Sequence, residues 1–406
     1  MGSAITTYLT EFDQVKEVLV VDPYQPSLDR CSRLVDSQKF SGFLCDHCTP
    51  EGFAQAVEKM AAADVAVAAL PTREASYKLL EVAIAAKTHL VDILEEYHRR
   101  PDKDEMEGLD LPHGMGPDEY GDSLDARAKE AGITFLDGMG LAPGLTNVTV
   151  GHALRQMDEA HTAYARVGGI IAPHLKDKYP LSYTVTWSLE HVLREYMVHT
   201  DILRDGEVVR VPALVDREEF TFEEFGREEK LVCAVTPGMP SFIFTRANLK
   251  NFAEKTIRWP GHYEGIEVLK SCGLLDLEEV KTSCGKHISP REVALAAMSA
   301  KMQRQPGDHD ACVMWNTVEG TLNGRPACIE YHMWDEVNEG DFSSMARVTA
   351  FPAACATVLV GEGKVTERGI VAPEDGIYGD TYLELIHMLG RKNIKIHETI
   401  RQVGLA

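Results

Sequence analysis

The sequence predicts an α/β protein with a Rossmann-type, doubly wound parallel sheet and an inserted α+β second domain. Residues 1–145 alternate short β-rich runs with helix-like stretches, and residues 146–340 carry longer β-type runs such as Val208–Val211 and Tyr183–Trp187. Residues 341–406 return to helical periodicity. Strands that are separated by helices form crossover units and therefore a parallel sheet. We expect 1–145 to bind a dinucleotide, 146–340 to form a substrate or dimerisation domain, and the C-terminal helices to return to the first domain.

The predicted strands of residues 1–145 end in an acidic residue or a proline. Open α/β sheets bind ligands at the carboxyl edge of their strands, so we expect a cofactor and substrate site there. Asp also starts loops and caps helices, which is the structural alternative for each of these positions. The runs are Glu17–Val21 before Asp22, Phe40–Cys45 before Asp46, Asp64–Leu70 before Pro71, Thr88–Ile93 with Asp92, and Ile133–Leu136 before Asp137.

Between these runs lie stretches with apolar residues near the helical period of 3.6. Pro50–Ala62 and Arg73–Ala86 are the clearest, and Ile5–Phe12 precedes the first run. This spacing predicts helices that cover the faces of the sheet.

Composition narrows the function classes. Hydrophobic residues make up 44% of the 406 residues and charged residues 26%, as in ordinary globular proteins. The formal charge of −22 disfavours binding to nucleic acid, whose affinity comes largely from Lys and Arg. The sequence has no run of 18 or more apolar residues and no signal-peptide pattern, so we expect a cytoplasmic protein that does not enter a membrane.

Nine cysteines are scattered along the chain, which is typical of reduced thiols. Cys45 and Cys48 form a CxxC pair, but no second ligand pair at similar spacing accompanies it. We therefore predict no metal site.

A dinucleotide site needs a glycine-rich turn after the first strand, a helix N-terminus for the pyrophosphate and an acid at the end of the second strand. Gly2 precedes a helix-like run, and Asp22 follows it by 20 residues. The first strand and the first two glycines of the turn are absent, and we expect an upstream segment to supply them. Asp22 would accept hydrogen bonds from a ribose diol and repel a 2′-phosphate, so NAD is favoured over NADP.

Three ordered segments carry a family resemblance. Asp137–Asn147 (DGMGLAPGLTN), Lys255–Leu269 (KTIRWPGHYEGIEVL) and Met345–Pro352 (MARVTAFP) resemble segments of lysine 6-dehydrogenase and its saccharopine dehydrogenase-like relatives. The resemblance implies a Rossmann domain that is interrupted by an α+β domain. It also implies that the Pro-Gly turn lies beside the nicotinamide and that Gly2 is the last glycine of the cofactor fingerprint.

Within this frame, several residues have the chemistry that amine oxidation needs. Asp92, Asp137 and His262 are the candidate acid/base groups, because the reacting amine must lose a proton. Arg258 matches a substrate carboxylate with its bidentate fork. Asn147 caps the following helix or contacts substrate, and the turn itself is shaped by Gly140, Pro143 and Gly144.

The leading expectation is NAD-dependent oxidative deamination of lysine at its 6-amino group, by a homodimer or larger homo-oligomer. A saccharopine or carboxynorspermidine dehydrogenase or reductase is the alternative, and it needs a further cation for a second carboxylate, for which Arg194 and Arg246 are available. A third possibility is a non-catalytic dimerising protein that has lost its cofactor turn.

Overall fold

The computed structural model describes residues 1–102, 109, 111–337 and 342–402. They form two compact units, and the chain enters each unit more than once. The first unit contains residues 1–156, 239–247 and 347–394, and the second contains the remainder of the described chain. The predicted domain limits stay predictions, and the one at residues 340 and 341 lies outside the described residues.

Residues 1–156 alternate helices and strands, as the hydrophobic runs predicted. Each predicted strand is present with its ends shifted by two residues at most. The helices are α1 Gly2–Glu11, α2 Gln25–Leu34, α3 Pro50–Met60, α4 Arg73–Ala86, α5 Pro117–Glu130 and α6 Leu145–Gln156, and the strands are β1 Val18–Asp22, β2 Phe40–Leu44, β3 Val65–Ala68, β4 His89–Asp92 and β5 Thr134–Leu136.

The middle of the chain is richer in strands. The strands are β6 Glu159–Ile171, β7 His199–Arg204, β8 Glu207–Pro212, β9 Glu218–Phe222, β10 Glu229–Val235, β11 Asn251–Arg258, β12 Val280–Lys281, β13 His287–Ile288, β14 Asp310–Leu322 and β15 Arg325–Glu336, and the helices are α7 Leu189–Glu195, α8 Phe242–Thr245, α9 His262–Ser271 and α10 Pro290–Met302, with 3₁₀ turns at Pro173–Leu175 and Pro180–Ser182.

The C-terminal part contains helices and two further strands. These elements are α11 Ser344–Gly361, β16 Gly369–Val371, α12 Pro373–Gly376, α13 Gly379–Arg391 and β17 His397–Gln402.

Parallel pairing organises the first unit. Strand β1 pairs with β2, and a second sheet has the order β16-β5-β4-β3, with every pair parallel. The predicted α/β fold with a parallel sheet is thereby confirmed. In the described part of the chain, no strand pairs with both β1 and β3.

Burial differs between the two parallel sheets. Leu19 and Val21 of β1 and Leu44 of β2 are 38%, 41% and 52% exposed. In contrast, β4 and β5 lie in a core in which Leu80, Leu90, Leu124 and Phe135 are fully buried. The four-stranded sheet is therefore the rigid platform on which residues at its carboxyl edge are positioned.

Local side-chain caps set the starts of the helices that flank this edge. The Thr49 hydroxyl accepts a hydrogen bond from Gly52 N at the start of α3, and Thr72 accepts one from Ala75 N at the start of α4. Each cap satisfies an amide that the first turn of a helix leaves unpaired. Helix α4 ends at Ala86, and the next residue, Lys87, adopts the left-handed conformation.

The second unit is built on a mixed, largely antiparallel sheet. Its strands follow the order β17-β15-β14-β6-β11-β10-β9, β7 pairs with β11 and β8, and β6 and β11 are parallel neighbours. The strand predicted at Val208–Val211 is present as β8. The prediction of a strand at Tyr183–Trp187 is wrong. This segment forms no strand, and Val185 N donates instead to Met302 O in α10.

Helix α11 confirms the helical periodicity predicted after Ser344. By length and composition it could cross a membrane, but 78% of its apolar window is buried within the protein. Such burial is typical of the core helix of a globular fold.

Close approach of β6 and β11 requires glycine at position 168. A Cβ atom added to Gly168 would lie 2.2 Å from the backbone oxygen of Ile257. We predict that Gly168→Ala lowers the free energy of unfolding by about 1–3 kcal/mol, because backbone atoms cannot move aside cheaply. Urea denaturation measures the change.

The matched control is Gly390→Ala in α13. An added Cβ there meets no atom within 4 Å, so this change should be neutral or stabilise by up to about 1 kcal/mol. Equal effects of the two alanines would contradict the close approach of β6 and β11.

Candidate active site

Two predicted acids lie at the carboxyl edge of neighbouring strands in the first unit. Asp92 ends β4 and Asp137 follows β5, and these residues are 1% and 2% exposed. The Asp92 carboxylate accepts hydrogen bonds from Gly138 N at 2.7 Å and from the Ser76 hydroxyl at 3.1 Å. The strand-end rule therefore places both acids in one buried site.

Histidine 98 joins these acids, although the sequence pattern gave no reason to select it. His98 is fully buried, and its Nδ1 lies 2.8 Å from Asp137 Oδ1 while its backbone N donates to Asp137 Oδ2 at 2.8 Å. Its Nε2 lies 2.9 Å from the Ser76 hydroxyl. Asp92, Ser76, His98 and Asp137 thus form one continuous hydrogen-bonded chain, which we call the buried chain.

Burial and charge shift the ionisation of this site in opposite directions. Burial raises the pKa of Asp92 to about 7. Burial alone would lower the pKa of His98, but the charge and hydrogen bond of Asp137 outweigh it and raise the pKa to about 9. Burial also raises the pKa of Asp137, while its two hydrogen bonds from His98 favour the ionised form. Strongly shifted groups in one site are typical of acid/base chemistry.

A third acid, Glu96, borders the buried chain. Its carboxylate accepts a hydrogen bond from the Tyr77 hydroxyl at 2.9 Å and pairs with Arg73 at 2.5 Å. The Tyr77 ring lies 4.4 Å from the His98 ring between centroids. Helix α4 and the loop after β4 therefore enclose the site with charged and aromatic groups.

The predicted glycine turn follows directly. Gly140 N donates to Pro143 O at 2.8 Å, and Leu145 N returns to Gly140 O at 3.0 Å. Gly144 has φ +126°, and an added Cβ would lie 2.3 Å from Gly140 O, so only glycine fits. This geometry agrees with the prediction that Gly140, Pro143 and Gly144 shape the turn. Their contact with a cofactor stays a prediction.

Asn147 locks this turn to a buried carboxylate. Its Oδ1 accepts from Gly144 N at 2.9 Å, and its Nδ2 donates to Glu374 at 2.8 Å and to Ser241 Oγ at 3.1 Å. Asn147 is fully buried, so its side chain is engaged within the fold. The predicted contact of Asn147 with substrate stays a prediction. The hydrogen bonds of its side chain within the fold do not favour that contact.

Glu374 is the carboxylate at which the hydrogen bonds of Asn147 and of its neighbours meet. It is fully buried, and Ser241 and Thr245 also donate to its carboxylate, at 2.9 and 2.5 Å. Three distant segments of the chain, α6, residues 239–247 and α12, meet at this one group. No pattern in the sequence marked Glu374, because its partners are far apart along the chain.

Five of the predicted cofactor residues lie at the start of α1 or at the carboxyl ends of β1, β2 and β3. Gly2 begins α1, and an added Cβ would lie 3.9 Å from Ala69 Cβ, just after β3. Asp22 is half-buried, and its Oδ1 accepts from Tyr24 N at 2.8 Å. Asp46 and Pro71 are exposed and Leu70 is half-buried. Their roles stay predictions.

Among the described residues, two groups of side chains have ligand atoms close enough together for a metal ion. They are Asp92, His98 and Asp137, and Asp46, His47 and Cys48. In the first group, His98 and Asp137 are hydrogen-bonded to each other, and Asp92 is linked to His98 through the Ser76 hydroxyl. In the second, Cys45 does not join Cys48, since its buried thiol is directed to Gly52 O at 3.3 Å.

Arg258 and His262 lie together in the second unit. The Arg258 Nε donates to the Tyr196 hydroxyl at 2.9 Å, and this hydroxyl lies 3.0 Å from His262 Nε2. His262 Nδ1 lies 3.0 Å from Leu181 O, which can only accept. Nε2 is therefore the acceptor for the Tyr196 proton.

Burial, with the nearby Arg258 charge, lowers the pKa of His262 to about 3. The imidazole therefore stays neutral at physiological pH, and both of its nitrogens are engaged. Its predicted acid/base role stays a prediction that this geometry does not favour.

Comparison with known proteins identifies the family. Residues 140–394 match the family model of the saccharopine dehydrogenase C-terminal domain. The chain belongs to the saccharopine dehydrogenase family. Family membership confirms the predicted relationship and the predicted class of enzyme, an amino-acid dehydrogenase that uses a nicotinamide cofactor.

Curated relatives and solved structures agree with this assignment. The L-glutamate-forming NADP(+) saccharopine dehydrogenase of Pyricularia oryzae is 25% identical over 340 residues, which is 64% of this chain and 73% of that protein. The corresponding Saccharomyces cerevisiae enzyme is 23% identical over 327 residues, 62% and 70% of the two chains.

Among solved structures, apo saccharopine dehydrogenase (L-Glu forming) from Saccharomyces cerevisiae has a TM-score of 0.74 at 17% identity, covering 98% of this chain and 97% of that one. Homospermidine synthase from Legionella pneumophila, in complex with NAD, has a TM-score of 0.62 at 11% identity and covers 98% and 89%. Both share the fold of this family member.

The Glu374 contact generates a testable prediction. We expect Glu374→Gln to lower the free energy of unfolding by about 1–3 kcal/mol, because an amide brings N–H donors to face the donors of Asn147, Ser241 and Thr245. Thermal and urea unfolding measure the loss.

Asp375→Asn is the neighbouring control. The Asp375 side chain is 42% exposed and pairs with Arg246 at 2.7 Å, so its loss should cost less than about 1 kcal/mol. A Glu374 variant as stable as this control would show that the buried contact is not needed.

Proposed function

We propose that this member of the saccharopine dehydrogenase family oxidises lysine at its 6-amino group with NAD. Ammonia would leave, and the resulting aldehyde would cyclise on the remaining amine. The observation that carries this proposal is Arg258, a buried cation that has no acidic partner among the described residues. A cytoplasmic homo-oligomer, as expected from the sequence, belongs to the same proposal.

Buried charges are normally paired, since an isolated ion loses its hydration. Arg258 is 4% exposed, and its hydrogen bonds go to the Tyr196 hydroxyl and to the backbone oxygens of Gly169 and Ile257. In the described part of the chain, no carboxylate lies within 4.0 Å of its guanidinium. An α-carboxylate of the substrate would supply the missing negative charge, and the guanidinium fork suits that group.

The remaining candidate cations favour a substrate with few carboxylates. Arg246 donates to Asp375 at 2.7 Å and to Glu374 O at 3.2 Å, so its charge is already compensated. Arg194 has contacts of its own within the chain. Lysine, with one carboxylate, therefore fits the available charges better than saccharopine does.

The residues of the first unit suit a dinucleotide. The N-terminus of α1 leaves amide groups unpaired within the helix, and Gly2 has no side chain to block an approaching pyrophosphate. At the end of β1, Asp22 has one carboxylate oxygen occupied by Tyr24 N, and in the described residues no donor is found for the other. That oxygen would accept a ribose hydroxyl, and its charge favours NAD over NADP.

Amine oxidation requires a neutral nitrogen, because an ammonium group has no lone pair to assist departure of the hydride. A bound nicotinamide would supply the acceptor for the hydride that leaves C6 of lysine. Asp92 or Asp137 is the base that takes the proton from the ammonium group, and burial keeps their pKa values above the usual range. Water then adds to the iminium carbon, and ammonium departs.

Absorbance of the reduced cofactor tests the proposal directly. The protein is incubated with NAD or NADP and, separately, with lysine or saccharopine. Reduction of NAD with lysine is the expected result. Turnover with saccharopine alone would establish the alternative substrate, and no turnover with either amino acid would overturn the proposal.

We predict that Arg258→Lys raises KM for the amino acid about tenfold or more and leaves KM for the cofactor nearly unchanged. Lysine keeps the charge but loses the fork, and a charged hydrogen bond contributes about 1.5–3 kcal/mol. Steady-state kinetics measure the two constants.

Arg166→Lys is the matched control, because Arg166 is equally buried but is paired with Glu218 at 3.1 Å. Its KM values should stay near those of the unmodified protein. Equal effects of the two changes would remove Arg258 from the substrate site.

For the cofactor, we predict that Asp22→Ser raises the NADP to NAD ratio of kcat/KM about tenfold, since a carboxylate that repels the 2′-phosphate is lost. The comparison variant, Asp64→Ser, removes an exposed acid just before β3 and should leave the ratio unchanged. The assignment of Asp22 fails if both variants keep the original preference.

A further inference from the structure

We propose that Ser76 and His98 connect Asp92 to Asp137 as a proton relay, which takes up the proton that the substrate ammonium group loses before oxidation. This inference rests on the proposed function and extends it to residues outside the predicted site. Ser76 and His98 act through Asp92 and are therefore positioning and proton-storing residues.

The hydrogen-bond geometry of the buried chain is continuous. Asp92 Oδ2 lies 3.1 Å from Ser76 Oγ, which lies 2.9 Å from His98 Nε2, and His98 Nδ1 lies 2.8 Å from Asp137 Oδ1. All four residues are at most 2% exposed, so water does not compete for these bonds. A single hydroxyl therefore separates an acid from an imidazole that a second acid orients.

A serine hydroxyl can both donate and accept a hydrogen bond. The buried chain therefore has two complete arrangements of its hydrogen bonds. With His98 cationic, Nε2 donates to Ser76 Oγ and the Ser76 proton points to the Asp92 carboxylate. With Asp92 protonated and His98 neutral, Asp92 donates to Ser76 Oγ and the Ser76 proton points to Nε2. In both, Nδ1 donates to Asp137.

The two arrangements have the same net charge and differ only in where one proton resides. Passage between them moves a proton from Asp92 to Ser76 Oγ while the Ser76 proton moves to His98 Nε2. No heavy atom needs to change its partner. The relay therefore operates without opening the buried site to water.

Ionisation decides which end keeps the proton. The pKa of His98 is raised to about 9 and that of Asp92 to about 7, so a proton delivered at Asp92 comes to rest on His98. Asp137 holds the imidazole in place through both of its oxygens. The titratable and charged groups around the chain are Glu96, Tyr77, Tyr97 and Arg73.

The proton balance of the oxidation is then complete. One N–H bond of the substrate ammonium breaks, and its proton goes to Asp92. The relay shift forms an N–H bond at His98 Nε2 and returns Asp92 to its carboxylate form. The neutral amine that remains is the form that loses hydride, and the reverse sequence supplies a proton to the amine during imine reduction.

Nitrogen NMR of protein labelled at histidine tests the relay without turnover. In the cofactor-free protein we expect both His98 nitrogens to carry protons at pH 7.5, with loss of one near pH 9. His98→Gln assigns the signal. Ser76→Ala should lower this pKa by about one unit or more, because a hydrogen bond to the cation is lost.

The second test is the pH dependence of kcat/KM for amine oxidation. The deprotonated relay is the active base, so the rate should rise with pH toward about 9 in the unmodified protein. Ser76→Ala leaves Asp92 as the base without the relay. The limb of the pH profile on which kcat/KM rises should then move to lower pH by about one unit or more, and kcat should decrease about tenfold or more.

Ser76→Thr keeps the hydroxyl and should restore the original limb, a rescue that a purely structural role would not give. Ser271→Ala, on an exposed serine of α9, controls for loss of a hydroxyl in general. An unmoved limb in Ser76→Ala would overturn the relay, as would a His98 that carries a proton on one nitrogen only at pH 7.5.

Failure of the relay and failure of the proposed function remain distinguishable. If no amino acid is oxidised, the proposed function is wrong, and the NMR titration alone still decides whether His98 stores a proton through Ser76. If lysine is oxidised but the NMR and the pH limb of Ser76→Ala match the unmodified protein, only the relay is wrong.

Discussion

The requirement that buried charge be compensated within the fold is the constraint on which both units depend. Removing an ion from water costs several kcal/mol unless donors or acceptors replace the lost hydration. Glu374 meets this requirement by drawing Asn147, Ser241 and Thr245 to its carboxylate, and these partners come from distant parts of the chain. The same bonds fix the glycine turn through Gly144 N. Architecture and site geometry in the first unit therefore have a common physical cause.

A functional position differs from a structural one in that the fold leaves a buried charge unpaired or a buried proton movable. The buried chain of Asp92, Ser76, His98 and Asp137 satisfies its own hydrogen bonds, yet its two arrangements leave one proton movable. Arg258 donates to neutral oxygens, and among the described residues no carboxylate lies within 4.0 Å of its guanidinium.

Much of the first unit could be predicted from the sequence, because short apolar runs that end in Asp or Pro mark its parallel strands. The same signal found Asp92 and Asp137. It could not find His98, which lies in a stretch without periodicity, or Glu374, whose role depends on partners more than a hundred positions away. Tyr183–Trp187 shows the opposite error, since β-rich composition does not ensure a neighbouring strand. Asn147 was predicted to cap the following helix or to contact substrate, and in the structure its side chain bonds to Gly144 N, Ser241 and Glu374.

The proposed reaction oxidises a C–N bond of lysine by direct hydride transfer from C6. Deuterium labelling tests this transfer most directly. Lysine carrying two deuterium atoms at C6 is incubated with the protein and NAD, and the reduced cofactor is analysed by mass spectrometry. The account predicts one deuterium in each reduced cofactor and a primary isotope effect on single-turnover reduction. Reduced cofactor without deuterium, or no reduction at all, would contradict it.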